Sequence, residues 1–297
     1  MSVFEGAGVA LSTPFDEKGI NYDTFDALIE YQIDGGIDCL LVCGTTGEPS
    51  TMTWKEREEA IDFVVKKSNG RVPVMVGTGG NATVNVVEAT KKATDLGADS
   101  ILLVTPYYNK CTQTGLLKHY EVIAESTTLP IVLYNVPSRT GVNILPETVF
   151  KLADIDNIVA IKEASGNIAQ IAKTASLCRG KIDLYSGNDD QILPLLSLGA
   201  KGVISVIANV APKHTHDMVM AYLNGDVKTA TDMQLNSIPL VSALFAEVNP
   251  IPVKEALNML GFKMGDPRLP LCRPSDATIA GLKKQLTAFG FDIMEDF

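Results

Sequence analysis

Short apolar runs alternate with amphipathic stretches eight times in the first 224 residues, and that alternation leaves few folds open. Residues 8–13, 39–42, 74–76, 100–104, 131–134, 158–161, 183–185 and 202–206 are rich in Val, Ile and Leu, as strands covered on both faces are. Each is followed by a helical pattern, opening near residues 21, 53, 83, 112, 146, 167, 189 and 211. The stretch 53–67 shows the pattern well, with Ala60, Ile61, Val64 and Val65 on one side of a helix. Eight strand–helix units predict a (β/α)₈ barrel; a doubly wound open sheet is the alternative, but usually holds fewer such regular units. After Asn224-Gly225 the strands stop, and 226–248, 252–260 and 275–289 read as helices. The expected organisation is a barrel over 1–224 and a C-terminal helical domain over 225–297, packed together without a linker.

Barrels of this kind carry their chemistry where the strands end at the C-terminal face. Four such ends hold polar clusters: Gly44-Thr45-Thr46-Gly47-Glu48, Thr105-Pro106-Tyr107-Tyr108-Asn109, residues 134–141 (YNVPSRTG) and Lys162. Singly, each has a plain structural explanation, as a turn, a packing tyrosine pair or a lysine snorkelling from a strand end. Together on one rim they describe a site. A lysine closing an apolar strand is desolvated, and desolvation favours the neutral amine, which is a nucleophile toward carbonyls. Schiff-base chemistry must move protons on and off the carbinolamine, which a tyrosine hydroxyl linked to a threonine and a second tyrosine can do. The Gly-Thr-Thr-Gly turn offers N–H groups and hydroxyls to a carboxylate, and the fork of Arg139 suits a second one. The substrates inferred are an α-keto acid and an aldehyde bearing an acid group.

The remaining features narrow the setting. A formal net charge of −10 gives no electrostatic reason to expect nucleic acid or an anionic membrane as a partner. Five cysteines without a C-x-x-C pair suit a reducing compartment. The N-terminus lacks the pattern of a signal peptide and no apolar run reaches the ~20 residues of a membrane span, so a cytoplasmic protein is expected.

At these residues the chain resembles the dihydrodipicolinate synthase and N-acetylneuraminate lyase family of class I aldolases. The likeness runs the full length through the clusters above and Lys162-Glu163-Ala164-Ser165, Ser186-Gly187-Asn188-Asp189, residues 202–206 (GVISV), 249–254 (NPIPVK) and 268–270 (RLP). The resemblance implies condensation of pyruvate with L-aspartate 4-semialdehyde to 4-hydroxy-tetrahydrodipicolinate, a step toward diaminopimelate and lysine. It implies Lys162 as the imine-forming residue and Tyr134 as the proton shuttle, relayed through Thr45 and through Tyr108 from a neighbouring subunit. It implies Thr46, with Thr45, on the pyruvate carboxylate, Arg139 on the semialdehyde carboxylate, and Gly187 and Ile204 lending backbone to the pocket. A homo-oligomer follows, a dimer usually within a homotetramer, and no metal or organic cofactor is called for.

Arg139 separates this reading from the N-acetylneuraminate lyases and 2-keto-3-deoxy sugar acid aldolases, whose acceptors are longer polyols. A barrel that merely binds a keto acid is the non-enzyme alternative. Lysine-inhibited relatives use histidines and a glutamate at positions that here read Pro49, Trp54, Arg57 and Asn85, so inhibition by lysine is expected to be weak or absent. Two signals are declined. His214-x-His216 places its imidazoles on different helix faces, and Asp189-Asp190 most simply caps the helix that follows.

Overall fold

The computed structural model describes residues 2–294. Eight parallel strands close into a barrel: β1 Gly6–Ala10, β2 Cys39–Val42, β3 Val74–Gly77, β4 Ser100–Val104, β5 Ile131–Asn135, β6 Ile158–Glu163, β7 Asp183–Ser186 and β8 Gly202–Ser205. Each pairs with the next in sequence, and β1 pairs with both β2 and β8. The helices between them are α1 Tyr22–Asp34, α2 Trp54–Ser68, α3 Thr83–Asp95, α4 Gln113–Ala124, α5 Pro146–Leu152, α6 Ile168–Leu177, α7 Ile192–Ser197 and α8 Pro212–Leu223. Three more helices follow: α9 Val227–Leu244, α10 Ile251–Met259 and α11 Asp276–Phe289. The (β/α)₈ architecture is thus the observed one.

Alternation along the strands sorts the side chains into two layers. Cys39, Leu41, Met75, Leu102, Val132, Tyr134, Ala160 and Ile204 fill the barrel, while Leu40, Val42, Leu133 and Ile161 face the helices. Lys162 follows Ala160 by two residues, which puts its side chain on the inner face. At the N-terminal end the barrel is plugged by Phe4, stacked on Tyr185 at 4.5 Å, with the Tyr185 hydroxyl on the Phe4 carbonyl at 2.5 Å. The opposite end is therefore the one that opens.

Several boundaries differ from the sequence reading. The first strand ends at Ala10 because Ser12 donates its N–H to Asn209 Oδ1 at 3.1 Å instead of to a neighbouring strand. A small hairpin, Phe15–Asp16 with Gly19–Ile20, precedes α1 and was not expected. The long C-terminal helix stops at Leu244, and the chain turns through Asn249 before α10 begins.

The helical C-terminal segment is tied to the barrel by a buried ion pair. Lys254 Nζ lies 2.8 Å from Glu48 Oε1, with both side chains 1% exposed. Glu48 Oε2 also accepts from the Arg268 N–H at 2.9 Å, and both Lys254 and Arg268 lie over the ring of Phe15. Among the described residues, no helix is long and apolar enough to cross a membrane.

Candidate active site

The C-terminal mouth of the barrel holds a cavity of about 240 Å³. Thr45, Tyr134, Arg139, Arg57 and Tyr107 line it, with Gly77 and Gly79 on one wall. Those glycines permit close approach of backbones: a Cβ would stand 2.2 Å from the Cys43 carbonyl at Gly77 and 2.4 Å from the Val104 nitrogen at Gly79.

Lys162, 5% exposed and the penultimate residue of β6, neighbours the cavity-lining Tyr134. Its partner in register on β5 is Tyr134, and its Nζ is 4.4 Å from the centre of the Tyr134 ring. Burial lowers the ammonium's pKa to about 7, the negative charge of Asp189 working against that shift and the guanidinium of Arg139 with it. A substantial neutral fraction is therefore present near neutrality. Burial also raises the Tyr134 phenol, opposed by Arg139 and by a hydrogen bond with Thr45. A protonated phenol bonded to a hydroxyl is suited to giving and retrieving a proton.

Arg139 sits on a one-turn helix, Pro137–Thr140, that leaves β5. Thr105 donates to the Thr140 hydroxyl at 2.9 Å, which pins that turn to the end of β4. Thr46 is buried behind Thr45, and Asn249 bridges it to the arginine. Asn249 Nδ2 donates to Thr46 Oγ1 at 3.0 Å, and its carbonyl accepts from Arg139 Nη2 at 3.1 Å. Gly187 packs against the lysine stem, where a Cβ would lie 3.0 Å from Lys162 Cε. Ile204 is buried in the inner layer at the end of β8.

The fold thus brings together Lys162, Tyr134, Thr45, Thr46, Arg139 and Gly187, while Ile204 is shown only as part of the barrel's inner layer. Tyr108 stands apart: it is 89% exposed at a backbone φ of 72°, while its neighbour Tyr107 lines the cavity.

Three residues near the site were missed or misread. Asn249 lay within a recognisable NPIP run, but its role depends on contacts over a hundred residues away. Glu163, beside the lysine, faces the helices and accepts from Asn135 Nδ2 at 3.1 Å and from the Ser165 N–H at 2.8 Å. Asp189 does not cap its own helix; its Oδ2 accepts from the N–H groups of Val206 and Ile207, in the turn that follows the neighbouring strand β8. His214 and His216 do diverge, the first against Phe289 and the second on Asp38.

A buried, partly neutral amine beside a phenol and a threonine hydroxyl, at the mouth of a (β/α)₈ barrel, defines a class: barrels equipped for carbonyl chemistry through a lysine nucleophile. Residues 3–289 match the model of the dihydrodipicolinate synthetase family, and the chain belongs to that family. A 4-hydroxy-tetrahydrodipicolinate synthase from Caldicellulosiruptor bescii is 53% identical over 99% of this chain and 100% of its own length. The chloride-inhibited dihydrodipicolinate synthase of Acinetobacter baumannii, solved in complex with pyruvate, superposes with a TM-score of 0.95 at 40% identity. That match covers 97% of this chain and 99% of the other. The enzyme of Cyanidioschyzon merolae, solved with lysine bound, gives 0.94 at 39% identity, covering 98% and 99%.

Proposed function

We propose that this protein is a Schiff-base synthase that condenses pyruvate with L-aspartate 4-semialdehyde to 4-hydroxy-tetrahydrodipicolinate, the product its relatives are named for. The observation that carries this reading is the Lys162 amine, buried against the Tyr134 ring and shifted to about pKa 7, beside a cavity lined by Tyr134 and Arg139. The amine adds to the keto carbon of pyruvate, and loss of water leaves an iminium. Its tautomer, an enamine, is the carbon nucleophile that attacks the aldehyde. Tyr134, bonded to Thr45, carries protons in these steps. Thr45 and Thr46 receive the pyruvate carboxylate, Arg139 receives that of the semialdehyde, and Gly187 and Ile204 shape the floor. The imine nitrogen is the electron sink, so the scheme calls for no metal or organic cofactor.

A short acid acceptor fits a cavity whose outer wall carries a guanidinium; sugar-acid lyases need polar contacts for a longer polyol. The test is borohydride trapping of a pyruvate adduct on Lys162, with pyruvate loss followed on adding the semialdehyde or N-acetylmannosamine. Consumption only with the semialdehyde supports the synthase. Consumption only with the amino sugar would replace it with a lyase, and no adduct at all would return the protein to a keto-acid binder.

The exposure of Tyr108 supports a homo-oligomer, a dimer or tetramer, in which that tyrosine completes a neighbour's relay. A monomer in sedimentation that retains full activity would refute this. The protein is read as cytoplasmic, with residues 225–297 a helical domain appended to the 1–224 barrel. Arg57 stacks on Trp54 at 4.6 Å and lines the cavity mouth, adding a cation there, while Asn85 stands where lysine-inhibited relatives carry the glutamate. Inhibition by lysine should therefore be weak or absent, and strong inhibition at sub-millimolar lysine would refute that reading.

A further inference from the structure

The strand that carries Lys162 meets its neighbour through an irregularity. Ile158 of β6 pairs with Ile131 of β5, but the next pair is Ala160 with Val132, so Val159 is skipped. That bulge decides what faces what at the end of the two strands. Beyond it Lys162 stands opposite Tyr134, and Glu163 opposite Asn135. With no residue skipped, Lys162 would stand opposite Asn135 instead. A slip of one residue carries a side chain to the other face of a sheet, so the site depends on the shifted register being held.

The contacts that hold it lie on the far side of the sheet. Asn135 and Glu163 each follow an inward-facing residue and so point the other way, toward the helices, where both are buried. Asn135 Nδ2 lies 3.1 Å from each carboxyl oxygen of Glu163 and 2.9 Å from Asn143 Oδ1, donating to both side chains. Its Oδ1 accepts from the Ile144 N–H at 3.0 Å, so the amide uses its donors and its acceptor and has one orientation. Glu163 Oε1 also accepts from the Ser165 N–H at 2.8 Å. Burial raises the pKa of Glu163 against these bonds, but the clasp does not need a charge. Oε1 accepts from Asn135 and Ser165 whether or not Oε2 carries a proton. A second tie fastens the group to α6: Asn143 Nδ2 donates to Gln170 Oε1 at 2.7 Å, and Gln170 Nε2 donates back to Asn143 Oδ1 at 3.0 Å.

We propose that Asn135 and Glu163 are positioning residues, whose buried clasp on the helix side of the sheet locks the bulged register and so sets the Lys162 amine against the Tyr134 phenol on the barrel side. The proposal rests on the Schiff-base reading above. The amine and the proton carrier sit on neighbouring strands, one residue before each half of the clasp, with Lys162 Nζ 4.4 Å from the centre of the Tyr134 ring. Such a pair works as a unit only at a fixed separation, and a misplacement of about 1 Å can cost about 100-fold in rate.

Glu163→Met removes both acceptors at similar length, whereas Glu163→Gln keeps Oε1. Asn143→Ala is the milder cut, taking one acceptor from the Asn135 amide at a half-buried position. Full-length wild type and these variants would be compared by urea unfolding and by the rate of pyruvate adduct trapping with borohydride, read by intact mass. Trapping by folded protein should slow about tenfold or more in Glu163→Met and about two- to fivefold in Asn143→Ala, and stay within about threefold of wild type in Glu163→Gln. Because the clasp acts through the phenol, adding Glu163→Met to Tyr134→Phe should cost about threefold at most. A purely stabilising contact would lower the urea midpoint and leave these rates alone. Wild-type trapping in folded Glu163→Met, or in Asn143→Ala should the first variant not fold, would therefore overturn the proposal. So would equal slowing in Glu163→Gln, which would make the charge responsible, or a full further loss on Tyr134→Phe. No adduct in wild type would instead remove the Schiff-base reading itself.

Discussion

Replacing Lys162 with methionine should abolish turnover and make the folded protein more stable. The unfolded chain holds this lysine in water, protonated up to its ordinary value of 10.5, whereas burial brings the folded value to about 7. Between those values the unfolded state binds more protons, so the wild-type lysine's penalty shrinks as pH rises through that window. Well below pH 7 the penalty is fully present, and at pH 7 it is only slightly reduced. Each pH unit of the gap is worth about 1.4 kcal/mol, giving a ceiling of roughly 5 kcal/mol. Methionine has a similar length and no charge to desolvate, but it leaves Asp189 without its cationic neighbour, which takes back part of the gain. An increase of about 2–4 kcal/mol at pH 7 is expected, falling by more than half at pH ~9. Urea unfolding of both proteins at pH ~6, ~7 and ~9, without pyruvate, measures it. A variant no more stable than wild type at pH 7, or a gain that grows with pH, would refute the reasoning.

Three further perturbations address other parts of the molecule. Arg139→Ala should lower kcat/KM for the semialdehyde by roughly 10- to 100-fold, the worth of a charge-assisted bond, while pyruvate trapping at pH ~8 persists; equal loss in both assays would contradict its assignment to the acceptor. Lys254→Met leaves Glu48 buried without its cation and should cost about 3–5 kcal/mol in urea, much of it recovered in the Glu48→Gln/Lys254→Met double variant. Gly187→Ala puts a Cβ 2.8 Å from that of Ala164 and 3.0 Å from Lys162 Cε, so it should slow adduct trapping at least ~10-fold for a stability loss of about 1–3 kcal/mol. A variant that traps pyruvate at the wild-type rate would show that the lysine stem has slack.

The periodicity of the sequence contained the barrel, because strand and helix patterns are local and repeat eight times. Lys162 and Arg139 were legible for a related reason: one is an isolated cation at the end of an apolar strand and the other an isolated cation in the turn just after one. What the sequence concealed were contacts between distant residues. Glu48 and Lys254 are 206 positions apart, and nothing near Glu48 signals that its carboxylate is buried. Asp189 looked like an ordinary helix cap because Asp before a helix usually is one; its actual donors are 17 and 18 residues further on. The hairpin at residues 15–20 was missed because two-residue strands have no period to detect. Tyr108 is a different case, since its surroundings in a single chain are solvent.

The bridge made by Asn249 also has a consequence for synthesis. It joins Thr46 to Arg139, yet it lies near the end of the chain, after every barrel strand has been made. A ribosome that stalls before this point leaves a product with all eight strands and the lysine, but without the bridge between Thr46 and Arg139. The contacts that join the Thr46 and Arg139 sides of the barrel mouth are therefore among the later ones to become possible as the chain is made.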